Sequence, residues 1–183
     1  MTAKLKRGIT KVKDPGSALT HFIAMILAII AAIPLLSKAG HDSGHMRISA
    51  LAIFILSMIG LYAASTIYHT LDISPKINKL LRKIDHMMIF ILIAGTYTPV
   101  CMIVLGDKTG WTMLTLVWGI AIVGILINAL WITCPKWFSS LIYIAMGWVC
   151  ILAITKILSS MPRAGFMWLL AGGIIYTVGG IIY

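Results

Sequence analysis

The chain has 183 residues, of which 60% are hydrophobic and only 11% are charged, and its mean hydropathy is +1.00. This composition leaves too little polar surface for a water-soluble globule, so it excludes that class and indicates a protein that lies in lipid. The formal net charge of +10 is explained by basic segments beside anionic headgroups, and the sequence carries no nucleic-acid-binding motif.

Six long apolar runs follow one another along the chain. A helix needs about 20 such residues to cross about 30 Å of hydrocarbon. Barrel strands alternate apolar and polar residues, whereas the stretch from Phe22 to Leu36 has no charged or amide residue. The sequence therefore predicts an all-α, polytopic transmembrane helix bundle, in which a basic tail (1–17) precedes one membrane domain (18–183). Its six helices are expected at about 18–37, 48–69, 85–105, 111–133, 138–158 and 165–183.

The first apolar run follows a basic segment, as a secretory signal does, but no convincing small-residue cleavage site comes after it. We therefore expect a retained helix. Lysine and arginine accumulate on one side of the predicted topology, which predicts a cytoplasmic N-terminus. That side holds Lys4, Lys6, Arg7, Lys11, Lys13, Lys76, Lys79, Arg82, Lys83 and Lys136, against Lys38, Arg47, Lys108, Lys156 and Arg163 on the other.

Three polar residues stand out between the second and third runs. Ser65 and His69 are four residues apart and so share one helix face, and Asp85 is expected to open the third helix after a loop over 70–84. Ionisable groups are costly in lipid, so these side chains should point into the bundle. Imidazole, carboxylate and hydroxyl groups can together hold zinc and a water molecule. On spacing alone the commoner alternative, hydrated residues at the membrane interface, stays open.

Ser65-Thr66-Ile67-Tyr68-His69, Asp85-His86 and Gly95-Thr96-Tyr97-Thr98-Pro99 resemble motifs of the hemolysin III family, bacterial relatives of the progestin and adipoQ receptors. The segment from Asp14 to His21 resembles the family's first motif, with Asp14 and Ser17 where the family commonly has Glu and Asn. The resemblance extends from about residue 14 to the end of the chain. It implies a multi-pass protein of the bacterial inner (cytoplasmic) membrane.

The resemblance further implies a seven-helix fold with an intramembrane zinc, held by one histidine of the second helix and two of an HxxxH pattern in the seventh. His69 matches the first ligand, Asp85 the aspartate that orients the metal-bound water, and Ser65 the serine of the same motif. This sequence has no late HxxxH and ends at Tyr183 inside its sixth apolar run. We therefore expect a seven-helix fold that lacks its last helix, which favours a truncated chain, and zinc binding that depends on a complete site.

The remaining histidines receive lesser roles. His41 and His45 also have HxxxH spacing, but Gly44 should break the helix that this spacing needs, on the side opposite His69. His86 adjoins Asp85, yet neighbouring helix positions point about 100° apart, so it should support the site or lie at the interface without binding metal. His21 should form hydrogen bonds within the site in the same supporting way.

Two classes of function are compatible with these residues. The first is a zinc-dependent hydrolase, similar to alkaline ceramidases, in which Asp85 and Ser65 act on the amide or ester bond of a membrane lipid. The second is a nonenzymatic protein that senses or adjusts the state of the bilayer, or a hemolysin that permeabilises membranes. A channel or transporter is disfavoured because no charged pathway appears. Membrane lipids are the expected partners, and the sequence predicts no oligomeric state.

Overall fold

The computed structural model describes residues 12–42, 44–130 and 136–182. In this part of the chain every long element is a helix and no strand is present, so the all-α prediction is confirmed. Among the described residues, six helical stretches are long and apolar enough to cross a membrane. Most of the predicted tail, residues 1–11, lies outside the described part.

The six spans are built from seven α-helices and two irregular segments. A π-helical segment continues the third helix, and a 3₁₀ segment divides the fifth span. The elements are α1 (Pro15–Asp42), α2 (His45–Thr70), α3 (Pro75–Pro99), the π-helical segment (Val100–Leu105), α4 (Lys108–Leu130), α5 (Lys136–Gly147), the 3₁₀ segment (Trp148–Ala153), α6 (Ile154–Ser160) and α7 (Arg163–Ile182).

The third helix begins at Pro75 rather than near residue 85, so the predicted loop over 70–84 is wrong. The physical reason is that the first turns of this helix are polar, so a search for apolar runs does not detect where the helix begins. Ser74 accepts a hydrogen bond from the Ile77 backbone N–H (3.3 Å), and Pro75 occupies the first turn, where its missing N–H costs nothing. Asp85 therefore lies about three turns inside α3 instead of opening it.

The connection between the first two spans is equally short. α1 extends to Asp42, and Gly44, with a φ of 52°, separates it from α2 at His45. A positive φ of this kind is easily adopted only by glycine, which is why the helix breaks here as the sequence predicts. The side chain of His41 lies outside the described part, so its predicted lack of a metal role stays a prediction.

The core of the bundle surrounds α3. Phe90 and Ala94 are fully buried there, together with Val117 of α4 and Met146 of α5. Gly95 lets α2 approach closely, because a methyl group at this position would overlap the Ser57 side chain. By contrast, α7 has no buried residue in the described structure and lies at the periphery.

The hydroxyl of Tyr97 forms hydrogen bonds with backbone groups at the 3₁₀ segment that interrupts the fifth span. It donates a hydrogen bond to the Gly147 carbonyl oxygen (2.6 Å) and accepts one from the Cys150 backbone N–H (2.9 Å). Backbone groups left unpaired in lipid would each cost several kcal/mol. A mostly apolar cavity of about 520 Å³ lies beside this break, between α3, the fifth span and α7.

Candidate metal and catalytic site

Antiparallel packing of the first three spans collects the predicted site residues at one end of the bundle, which we call the site end. α1 begins there with His21 in its second turn, α2 ends there with Ser65 and His69, and α3 passes through it with Asp85 and His86. Ser65 is buried, with 4% of its surface exposed, and lies one turn before His69 on the same helix face.

The segment before α1 is attached to the end of α2. The backbone N–H of Asp14 donates to the His69 carbonyl oxygen (2.9 Å), and that of Lys13 donates to the Thr70 carbonyl oxygen (3.3 Å). The Lys13 ammonium also lies 3.6 Å from the centre of the Tyr68 ring, a cation–π contact. These three contacts fix Asp14 next to the imidazole of His69.

Asp14 contacts His69 through its side chain as well. Its Oδ2 lies 3.2 Å from Nδ1 of His69 and accepts a hydrogen bond from the Ser17 hydroxyl (2.7 Å). The hydrogen bond from the Ser17 hydroxyl is the main cause that lowers the pKa of Asp14, and the neighbouring imidazole of His69 contributes less. An ionised Asp14 accepts a hydrogen bond from the Nδ1–H of His69, which leaves the lone pair of the neutral imidazole on Nε2, the tautomer needed to bind a metal.

His21 brings a second imidazole to the site. Its ring centre lies 5.5 Å from that of His69 in an edge-on contact, and electrostatic interactions link it to Asp85 and Asp14. Its Nδ1 is buried and has no hydrogen-bond partner among the described residues. A buried polar atom without a partner costs about 1–3 kcal/mol, so this nitrogen is the natural place for an additional ligand.

Asp85 and His86 lie together on α3. Nδ1 of His86 is 3.6 Å from Oδ2 of Asp85, and each side chain is 14% exposed. The hydroxyl of Tyr143 on α5 donates to the His86 carbonyl oxygen (3.0 Å), which ties this turn of α3 to the fifth span. The pair is therefore held at low exposure, where a carboxylate interacts more strongly with nearby charges than it does in water.

The described side chains at the site end are of the chemical types that bind zinc, but too few of them are placed to hold one ion. Two imidazoles, His69 and His21, and the nearby carboxylate of Asp85 are ligand types that zinc prefers. However, the described residues contain no group of three or more His, Cys, Asp or Glu side chains placed to hold one metal ion. A catalytic zinc needs three protein ligands and an open position. A zinc ion bound here would therefore need a donor beyond the described residues.

The sequence alone assigns no role at the site to Asp14. Asp14 contacts His69, although the two are 55 positions apart in the sequence. Two features of the sequence could have identified Asp14: it directly precedes Pro15 at the start of a helix, and it lies within the segment that resembles the family's first motif.

Comparisons with known proteins identify the family of the chain. The sequence profile of the family described as "Haemolysin-III related" matches residues 9–183. "Hemolysin-3" of Bacillus cereus is 40% identical over 184 aligned positions, which cover 100% of this chain and 84% of that protein. "Hemolysin-3 homolog" of Bacillus subtilis (strain 168) is 37% identical over 171 positions, which cover 93% of this chain and 80% of the relative.

Proposed function

The chain belongs to the hemolysin III family of multi-pass membrane proteins, and on that premise we propose that it is a zinc-dependent hydrolase of membrane lipids. The observation that carries the proposal is the edge-on contact between the imidazoles of His69 and His21 in an otherwise apolar bundle, since the Nδ1 of His21 has no hydrogen-bond partner among the described residues. Ionisable groups are expensive inside a membrane and mark functional sites there. The lysine and arginine bias supports a cytoplasmic N-terminus, and the bacterial relatives support a place in the bacterial cytoplasmic membrane.

Zinc would be held by Nε2 of His69, with His21 as the nearest additional nitrogen, and when bound it supplies Lewis acidity to the reacting groups. Asp14 keeps the imidazole of His69 in the required tautomer and orientation. The low exposure of the Asp85 and His86 side chains makes charges there interact more strongly than they would in water.

Asp85 serves as the general base in this mechanism. Its carboxylate orients a water molecule and takes its proton as the water oxygen bonds to the carbonyl carbon of a lipid amide or ester. The Ser65 hydroxyl donates a hydrogen bond to the carbonyl oxygen, where negative charge develops. When the bond from carbon to the amine or alcohol breaks, Asp85 returns the proton to that leaving group, and a fatty acid is the other product.

Removal of metal tests this proposal. The protein purified in detergent should hydrolyse a fluorescent N-acyl lipid, lose that activity after treatment with a zinc chelator, and regain it when zinc is added. The matched control is Asp72→Ala, which removes an exposed carboxylate in the connection between α2 and α3 and should respond as the unchanged protein does. Hydrolysis that persists at full rate without metal would rule out the zinc mechanism.

Membrane permeabilisation is the alternative function, and the name shared by both relatives supports it. In this alternative, as in that of a nonenzymatic sensor of bilayer state, the cluster around His69 is structural. The release of a dye from liposomes separates the possibilities. A hydrolase should release no dye from liposomes made of uncleavable lipids, whereas leakage that survives His69→Ala would favour permeabilisation independent of a metal.

A further inference from the structure

The start of α3 projects beyond the hydrocarbon of a membrane. The third span covers Pro75–Leu105, or 31 residues, which corresponds to about 46 Å of helix. The hydrocarbon layer is only about 30 Å thick, so roughly ten residues must lie in a headgroup layer. The π-helical end of this span is entirely apolar, whereas the Pro75 end is rich in lysine and arginine. The excess therefore lies between Pro75 and Ile84.

This projecting segment has two different faces. Asn78, Leu81 and Asp85 are partly buried and follow one another at helical spacing toward the bundle. Lys76, Lys79 and Arg82 are exposed at intervals of three residues. Successive steps of three rotate by only about 60°, so these cations occupy one arc of the outer face.

Exposed apolar side chains accompany the cations. Ile73 is 58% exposed and Leu80 is 56% exposed, and Ile77 lies exposed between them. A segment that combines exposed lysine and arginine with exposed aliphatic residues at headgroup depth is suited to the boundary between lipid phosphates and acyl chains.

These cations have no carboxylate partner in the described part of the chain, where the ion pairs involve other residues. The neighbouring Asp72 instead accepts a hydrogen bond from the Asn78 amide (2.6 Å), and the Asn78 oxygen accepts one from the Ile73 N–H (3.2 Å). Lys83, next along the helix, donates to the Ala129 carbonyl oxygen at the end of α4 (2.8 Å). These hydrogen bonds attach the start of α3 to the preceding connection and to α4. The three exposed cations take no part in them.

We propose that Lys76, Lys79 and Arg82 bind the headgroup of an anionic phospholipid, whose acyl chain packs against Leu80 and Ile77. The cations supply charge and donors to the phosphate, and each adds attraction to an anionic surface. This site is distinct from the zinc-dependent chemistry, because its three cations are exposed whereas Asp85 is partly buried on the side of the helix that faces the bundle.

Native mass spectrometry of the full chain in detergent tests the proposal, with phosphatidylglycerol and phosphatidylcholine as separate probes. The variant Lys76→Gln/Lys79→Gln/Arg82→Gln should bind phosphatidylglycerol about a hundredfold more weakly, or roughly fivefold per cation, with no change for phosphatidylcholine. The matched control, Lys38→Gln/Arg47→Gln/Arg163→Gln, removes three exposed cations at the other end of the bundle. This control should keep the affinity for phosphatidylglycerol within about twofold. Salt screens charges over about 10 Å, and the distance between the two ends of the bundle is longer than that.

Two results would overturn the proposal: unchanged phosphatidylglycerol binding by the first variant, or an equal loss in both variants, which would indicate a general effect of net charge. Circular dichroism verifies that each variant is folded. The charge-preserving Lys76→Arg/Lys79→Arg protein provides a second measurement and should retain binding, and its failure to bind would also contradict a site built on positive charge.

Discussion

Replacing Asp85 with alanine should slow lipid hydrolysis by roughly 10²- to 10⁴-fold, the usual contribution of a positioned general base. The carboxylate is expected to orient the attacking water and to carry its proton, tasks that alanine cannot perform. Zinc should remain bound, because in this mechanism His69 is the metal ligand and Asp85 acts on the water molecule. The measurement is the single-turnover rate with a fluorescent N-acyl lipid, made together with the zinc content of the same sample.

Two variants sharpen this test. Asp85→Asn keeps the size of the side chain and should be nearly as slow as alanine, because a neutral amide accepts no proton at neutral pH. Asp72→Ala removes an exposed carboxylate that contacts Asn78 and should keep the original rate. An Asp85→Ala protein that hydrolyses lipid at the original rate would refute the proposed role of this residue.

Replacing Asp14 with alanine should weaken zinc binding by about 10- to 100-fold, the effect usually seen when the hydrogen-bond partner of a metal-binding histidine is removed. The carboxylate lies 3.2 Å from Nδ1 of His69 and fixes the tautomer that presents Nε2. The backbone N–H of Asp14, which donates to the His69 carbonyl oxygen, remains in this variant and keeps the segment attached. Competition with a zinc-binding fluorophore measures the affinity.

Ser17→Ala is the matched control, because this hydroxyl contacts the same carboxylate but donates to no other site residue in the described structure. Its zinc affinity should change much less than that of Asp14→Ala. In the Asp14 variant, excess zinc should restore hydrolysis, whereas a purely structural defect would not respond to zinc. Wild-type zinc affinity in Asp14→Ala would contradict the assigned contact.

The helical fold follows from the sequence because lipid imposes a simple rule: each span must be a long apolar helix with its backbone bonded internally. This rule does not predict where α3 begins. The Pro75–Ile84 segment stands outside the hydrocarbon, so its polar residues resemble a loop in any search based on hydropathy. The signal that identifies its start is local, namely Ser74 as the capping residue followed by Pro75.

Only the local part of the candidate site could be predicted in the same way. Helical spacing places Ser65 and His69 on one face, and the resemblance to a family assigns roles to them and to Asp85. The contact between Asp14 and His69 depends on how α1 docks against α2, and the unsatisfied Nδ1 of His21 depends on the packing around it. Neither is encoded in spacing along the chain, and the binding of zinc itself stays a prediction.

The zinc content of the purified protein, measured by mass spectrometry of the metal beside a His69→Ala variant, tests the central claim most directly. We expect about one zinc per chain in the unchanged protein and a large loss in His69→Ala. His45→Ala, which removes an exposed histidine at the other end of the bundle, should keep the full content. Equal zinc in all three proteins, or none in any of them, would contradict a metal site at His69.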